Sequence, residues 1–504
     1  MQLVSTNFHR AADKSTRKIS FNVLMAFNKV YDANIGFFTL NSSQLNGGDF
    51  LQGTQTIVQE WDKYTYDDVS DRVISVEWQK EETTPYSFVM GIADVVLDNH
   101  DDLFTPGESA NYSDVILPRR PIRILAGFEG ENVPVFIGLT EEMPEIDKKN
   151  KTAKFHCIDF ITLLYEQKLT EAVIYEDMRT DEILDELLQL VGLSPTQYDL
   201  DVGLLNIPFA FFEKDSKFGD AVKDLMIAEC GTFFMDETGV IRFRNKQNFD
   251  DTAQYTFNEG NTLDFKTRRE HDIINVVEIT SRVREVQSTS NIYELSSPIL
   301  VPGNGTVIKF FDYQDPVTSV NTPTYEAYPN SDGTGTDLTA NITISEQVDF
   351  SKASKVTFAN STSTDAYITS LQVNGTPAIV VKEIFLREQD DASITKYEEQ
   401  VLKIENEYIQ SENDAQTIAL VLLQFYSEAG SIYEASVKGS PALQLNDQIT
   451  VNLGTDDTGY AIQKMFCSIE GGKFIQRLGM RVRPDLSFFI LNQSQLNGGD
   501  LVSP

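Results

Sequence analysis

Short strand-like stretches dominate the pattern of apolar and polar positions along this chain. Ile19 to Phe27 is an apolar run bounded by charge. From Val73 to Trp78 the chain alternates. Val73, Ser75 and Glu77 fall on one face and Ile74, Val76 and Trp78 on the other, the period of a half-buried strand. Further strands are predicted at Phe88 to Leu97, Ile122 to Gly127, Val133 to Gly138 and Thr152 to Asp159. Turn-forming clusters at 98–102, 128–132 and 147–151 separate them. Many short strands at this spacing predict a β-barrel or sandwich for residues 1–165.

The period then changes. Thr180 is placed to cap a helix with Asp181 and Glu182 in its first turn, an apolar stripe of Ile183, Leu184, Leu187, Leu188 and Val191, and a stop at Gly192 and Pro195. A second helix starts at Ser216, buries Phe218, Val222, Leu225 and Met226, and ends at Gly231. A hairpin with Asp236 to Gly239 at its turn follows, so residues 166–245 read as a small α+β module. Residues 246–300 and 381–485 return to strands, among them Asn275 to Ser281, Tyr433 to Lys438, Gln448 to Asn452, Tyr460 to Ile469 and Phe474 to Arg481. One helix interrupts them from Ser411 to Gly430, with Ser411 and Asp414 at capping-box spacing and Ile418, Leu420, Val421, Leu422 and Phe425 as its apolar face. Residues 301–380 shift toward Ser, Thr, Asn and Gly, with strands expected at Ala340 to Ile344, Lys355 to Phe358 and Ala366 to Val373; they read as an inserted β-sandwich.

Composition narrows the function classes. With 41% hydrophobic and 11% aromatic residues the chain has the material for packed cores, so disorder is excluded. Its length of 504 residues suggests roughly three or four domains. A net charge of −35 argues against wrapping DNA or lying on an anionic membrane through a basic field. No apolar run approaches the roughly eighteen residues of a membrane span, and no signal-peptide pattern is seen, so no membrane anchor is expected. The three cysteines, Cys157, Cys230 and Cys467, are far apart and predict reduced thiols and folding in a reducing cytoplasm.

Candidate chemistry is sparse. Asp98 to Asp102 resembles the start of a calcium loop, but Leu103 and Ser109 stand where an EF-hand needs Gly and Glu, so an acidic turn is the expectation. Asp456 to Gly459 is read as a hairpin turn. There is no GxSxG, Walker A or strand-linked GxGxxG. Glu81-Glu82 and Glu141-Glu142 are read as solvated surface, and His156-Cys157 as interior residues of an apolar strand. The Arg119, Arg120 and Arg123 cluster is expected to pair with the chain's own carboxylates. No catalytic residue, metal site or cofactor is predicted, and the chain is not expected to be an enzyme.

One feature is far more specific. Residues 37–51 read FFTLNSSQLNGGDFL and residues 488–502 read FFILNQSQLNGGDLV, identical at eleven of fifteen positions. The copies lie near opposite ends with unmatched flanks, so this is no solenoid period. One reading is a shared turn. The sharper one is a peptide that adds a strand to a partner or to a neighbouring copy of the chain. The candidate partner-binding residues are Leu40, Asn41, Ser43, Leu45, Asn46, Gly47, Gly48 and Asp49, with Leu491, Asn492, Ser494, Leu496, Asn497, Gly498, Gly499 and Asp500 in the second copy, which forms a 486–504 tail.

Several segments together resemble the baseplate hub and tail-tip hub (minor tail) proteins of tailed bacteriophages. VVLDNHDDLFTPGESANYSDVILPRRPIRILAGF (95–128) is similar to that family's "DN-x-D-x-x-F-x-P" turn and "GRPVRI-x-x-G" strand, through Asp98, Asn99, Asp101, Phe104, Pro106 and Arg120, Pro121, Ile122, Arg123, Gly127. VSDRVISVEWQKE (69–81) and PVFIGLTEEMPEIDKKNKTAKFHCIDFITLL (134–164) resemble the strands before and after it. ENEYIQSENDAQTIALVLLQFY (405–426) resembles the helix leading into the second hub barrel, and GSPALQLNDQITV (439–451) a strand pair of that barrel, with Asn446 where Gly is usual before Asp447. The resemblance implies a mainly β fold with α+β modules: two tail-tube-like β-barrel hub domains (1–165, and 246–300 with 381–485), a small α+β domain and an inserted β-sandwich. It further implies a homotrimer whose six barrels make a pseudo-sixfold ring. The ring would join a hexameric tail tube or distal tail protein to a threefold fibre or spike, with a channel through which DNA passes without specific binding. The expected location is the virion tail tip, after assembly in the host cytoplasm. Since the chain stops at Pro504, wall-cutting activity is expected on another subunit. The competing reading is a carbohydrate-binding host adhesin, with the 301–380 insertion as its binding module.

Overall fold

Strand alternation sets the architecture. The computed structural model describes residues 1–12, 14, 17–27, 64–82, 87–108, 112, 115–245, 254–269, 273–428, 431–452, 457–481, 488–489 and 501–502. The Val73–Glu81 strand turns Val76, Trp78 and Lys80 inward and leaves Glu77 and Glu81 outside. Gly91–Asp98 does the same with Ala93, Val95 and Leu97, as a sheet with one buried face requires. Fourteen strands join in one sheet. Strands from the first part of the chain run in the order Val73–Glu81, Gly91–Asp98, Thr152–Ile158, Glu131–Thr140, Pro121–Phe128, Ile19–Met25, Asp67–Asp68. Those from the second part run Thr262–Arg269, Ser431–Val437, Lys473–Arg481, Asp457–Glu470, with Gln448–Asn452 and Tyr255–Asn258 branching from the last.

The two runs meet where Asp457–Glu470 pairs antiparallel with Val73–Glu81, Lys464 opposite Glu81 and Glu470 opposite Ser75. One apolar core serves both. Val76, Trp78, Phe104 and Phe155 come from the first run, and Phe257, Ile449, Met465 and Leu478 from the second. Trp78 stacks on Phe474 across the junction, ring centroids 5.9 Å apart. The chain is therefore mainly β, with several sheets.

A second core lies between the helices Thr180–Leu190, Phe218–Glu229 and Glu412–Tyr426 and the strands beside them, including Val276–Val286. The Thr232–Met235 and Ile241–Arg244 hairpin closes on Asp236, whose Oδ1 accepts from Thr238 N at 2.8 Å and Val240 N at 3.0 Å, an Asx turn. The expected helices are present with shifted ends. Arg179, not Thr180, is the N-cap; Glu182 accepts from Arg179 N at 2.9 Å, while Thr180 donates to the buried Glu229. The second helix begins at Phe218 and is stopped by Cys230 in the left-handed region, φ 51°. Ser411 caps its helix by accepting from Asp414 N at 3.0 Å. Three helices were not legible in the sequence: Thr6–Ala12, Phe160–Glu166 and Asp391–Tyr397. Each spans two turns, too short for a 3.6-residue period to stand out.

The segment around 301–373 carries a third core of Val301, Phe311, Val356, Phe358, Ile368, Leu371 and Val373. Thr306–Asp312, Ala353–Asn360 and Ile342–Phe350 form a three-stranded sheet there. Ala366–Gln389 does not end at Val373, as the sequence pattern suggested. It runs for 24 residues in all and reaches Val276–Val286, with which it pairs.

Candidate functional site

The repeated peptide is the strongest functional signal in the sequence, and its central residues, 40–49 and 491–500, lie outside the described residues. What is described is the backbone at their roots. Before and after the first copy, Leu24 pairs with Asp68 and Met25 with Asp67. Around the second, Phe488 pairs with Leu501 and Phe489 with Val502 in parallel.

Two of the segments that carried the family resemblance contain structural turns. Asn99 is buried; its Oδ1 accepts from Phe104 N at 2.8 Å and its Nδ2 donates to Thr105 Oγ1 at 3.0 Å. This seats Phe104 among Phe27, Tyr112 and Phe155, with centroids 6.0, 6.4 and 6.1 Å away. Arg72 lies over the same ring and clamps Asp101 with two 2.8 Å hydrogen bonds. That pair holds the Asp101 carboxyl down at about 2. Asp98 meets the His100 ring at 2.8 Å and Asp102 meets Lys151 at 3.9 Å, so all three acids of this turn have side-chain partners within the chain. Asn446, at the position where Gly was expected, has φ 67°, a conformation that Asn tolerates better than most residues.

Other sequence expectations need correction. His156 is not interior. Strand alternation puts Cys157 in the core and His156 on the outer face, where its Nδ1 lies 2.6 Å from Asp94. Asp457, Thr458 and Gly459 belong to a strand, with Asn452 opposite Asp457; Asp456 lies outside the described residues. In the arginine cluster, Arg120 donates to Val115 O at 3.0 Å and Arg123 lies over Tyr66.

The sheet junction holds a buried polar network that sequence reading missed. Lys80 and Glu237 are 4% and 3% exposed, and their Nζ–Oε1 distance is 3.0 Å. Lys80 also donates to Met235 O at 2.7 Å. Glu237 accepts from Gln444 Nε2 at 2.5 Å, and Gln444 N donates to Asp447 at 2.7 Å. The Met1 ammonium donates to Asp447 and to Gln254. On the other side, Asp159 accepts from Gly91 N at 2.5 Å and caps the Phe160–Glu166 helix through Thr162 N at 3.2 Å. The network ties the first strand run, the α+β module and the second strand run together. The available signal was parity: Lys80 occupies an inward position in register with Val76 and Trp78.

Burial pushes the Asp159 carboxyl up to about 6 against the pull of Lys80, and burial does the same to Asp447 against the Met1 ammonium. Both groups bind a proton more tightly folded than unfolded, where an aspartate titrates near 3.9. Their contribution therefore strengthens as pH falls through 6 and levels off near 4. Stability is expected to rise by about 2 kcal/mol from pH 7 to pH 5, read from denaturant midpoints, and Asp159→Asn should flatten the slope. A midpoint that drops over this interval would contradict the assignment.

Burial drives the Cys157 and Cys467 thiols upward, away from the thiolate. A cleft of about 440 Å³ is lined by Asp181, Glu182, Asp185, Glu186 and Asp199 with Tyr198. Its acids are tied locally: Asp181 to Arg179 at 2.9 Å, Asp185 to Tyr198, and Asp199 to Arg242 and Arg244. Among the described residues, no group of three or more His, Cys, Asp or Glu side chains is placed to hold a metal, and no helix is long and apolar enough to cross a membrane. Of the aromatics that could have stacked a sugar in the insertion, Phe358 is fully buried and Tyr325 packs edge-on against it at 5.5 Å. The outer face of that small sheet instead exposes Ile308, Phe310, Val348 and Phe350.

No family model matches the chain, and no curated relative does. Solved structures similar to it include a 43 kDa tail protein of prophage MuSo2 from Shewanella oneidensis, at 11% identity and a TM-score of 0.46, covering 84% of this chain and 96% of that one. A tail protein from Neisseria meningitidis is similar at 8% identity and a TM-score of 0.47, covering 83% and 93%. An Escherichia coli component of the type VI secretion system, described as structurally similar to the bacteriophage T4 tail proteins gp27 and gp5, is similar at 9% identity and a TM-score of 0.37, covering 82% and 74%.

Proposed function

We propose that this chain is a structural hub protein of a bacteriophage tail tip or baseplate. Three copies form a pseudo-sixfold ring between the hexameric tail tube and a threefold fibre or spike complex, leaving a channel for the genome. The observation that carries this is the sheet junction. Two strand runs, one from each part of the chain, share one core and one continuous hydrogen-bond ladder. That is the construction a chain needs if it is to supply two neighbouring wall segments of a tube. The turns at Asn99–Phe104 and Gln444–Asp447 support the reading, since Asn99, Phe104 and Asp447, which match the family's pattern, hold each run's turn in place. Strand edges pairing between copies would close the ring. The excess of acids would repel DNA phosphates and let the genome slide past.

In this reading the two LNxSQLNGGD peptides are docking elements for a tail-tip partner or a neighbouring copy, and no step of catalysis belongs to the chain. The hub is tested by electron microscopy and native mass spectrometry of the purified protein. A ring at three times the 56.7 kDa chain mass, with a central channel, is expected. A monomer that binds host glycans would establish the adhesin reading instead. Deleting residues 488–504 should leave the fold and the thermal midpoint within about 2 °C, and stop tail assembly at the tip; complete tails from the deleted chain would remove the peptide's proposed role.

A further inference from the structure

The insertion is attached to the rest of the molecule in an unusual way. Its core is separate from the other two, and the long Ala366–Gln389 strand is its main connection. Along Val276–Thr280 that strand's partner is also paired by Val401–Glu405, so the sheet is broad there. Pairing with Val317 begins only at Pro377. Between these points, among the described residues, the connection is a ribbon two strands wide. A β-bulge interrupts it: Val283 pairs with Lys382 and Arg284 with Val380, leaving Val381 as the extra residue. Bulges bend and twist the strand that holds them. Val286, Val380 and Val381 around it are all more than a third exposed.

Two polar contacts hold the insertion from the side. At the ribbon itself, Arg284 donates to Asp315 at 3.1 Å and lies 3.8 Å from Glu407; the second is farther out. The turn between Ile342–Phe350 and Ala353–Asn360 reaches the α+β module, where Ser351 Oγ donates to Ala172 O at 3.0 Å and Lys352 Nζ donates to Glu213 at 3.1 Å. The Lys352 ammonium also lies over the Phe211 ring, 5.6 Å from its centroid. These groups are wet: the Lys352 and Glu213 side chains are 39% and 62% exposed. Exposed ion pairs and single polar contacts are individually weak and screened by salt. Beyond the Arg284 contact at the ribbon, the far side of the arm is held by small, wet polar contacts, unlike the apolar packing that fixes the module itself.

We propose that the insertion is a hinged arm, latched against the α+β module by Lys352 and able to swing about the bulge at Val381. The latched arrangement is the one in the structure, and the open one is a minor state, within the roughly 0.1–10% common for such equilibria. The proposal does not depend on the hub assignment, because it rests on contacts within one chain.

Pulsed electron paramagnetic resonance tests it. Spin labels on Thr196→Cys and Ser331→Cys, both at exposed positions, report the module-to-arm distance; the three native cysteines are buried and will not label. Lys352→Glu should raise the longer-distance component at least fivefold, with an unchanged thermal midpoint showing that the fold is intact. The swapped pair Lys352→Glu with Glu213→Lys should restore most of the short distance, and added salt should lengthen the distances in the unsubstituted protein. Distances unaffected by Lys352→Glu, or an opening that the swapped pair does not reverse, would overturn the latch.

Discussion

Replacing Lys80 with Met is expected to destabilise the protein by about 3–5 kcal/mol, the cost of stranding the partner of a buried ion pair. Met fills nearly the same volume, so no large cavity is left. The loss is electrostatic: Glu237, 3% exposed, keeps the Gln444 amide at 2.5 Å as its one remaining side-chain partner among the described residues, and Met235 O loses its 2.7 Å donor. A further measurement separates this from a packing effect. Lys80→Met combined with Glu237→Met should recover most of the loss, because replacing both partners of a buried pair is often neutral or stabilising. Trp78 sits two residues away and stacks on Phe474, so its fluorescence reports the junction where the effect arises. A single variant within 1 kcal/mol of the parent would mean that water reaches Glu237 and that the junction is looser than described.

Phe104→Ala is expected to cost a similar amount, about 3–5 kcal/mol, for a different reason. Phe104 is fully buried between Phe27, Tyr112 and Phe155 and covered by the Arg72 guanidinium at 5.8 Å. Truncation leaves a cavity whose walls are strands and an Asx-type turn, which cannot collapse freely. Phe104→Leu should cost well under half as much. The pH profile of Phe104→Ala should run parallel to that of the parent, because no titrating group loses its partner; a changed slope would show that Arg72 and Asp101 had come apart. Both losses are best measured on the transition reported by the sheet, since a chain with three cores need not unfold in one step.

Much of the fold was legible because local chemistry and tertiary structure agree. Alternation from Val73 to Trp78, the apolar stripe of Ile183, Leu184, Leu187 and Leu188, and the Ser411 cap each became the element the pattern implied. Where the reading failed, the deciding contact was distant in sequence. His156 was placed inside because its neighbours are apolar, yet face is set by register with Gly91–Asp98, which turns it toward Asp94. The continuation of Ala366–Gln389 past Val373 was missed because residues 380–383 are exposed on both faces and break the alternation before it resumes at Ile384.

The sequence by itself determined the class of the protein: β-rich, acidic, with helices among the strands, a change of composition over 301–380 and a peptide used twice. These properties depend on which residues are present and on spacings of two to four along the chain, and local physics reads them directly. Only the tertiary structure decided that strands almost 400 residues apart, Val73–Glu81 and Asp457–Glu470, share one ladder. It alone put Lys80 against Glu237, and left the insertion on a bulged ribbon with a wet latch. Pairing partners in a sheet and the burial of a charge are set by what the rest of the chain brings alongside, and no local pattern encodes that.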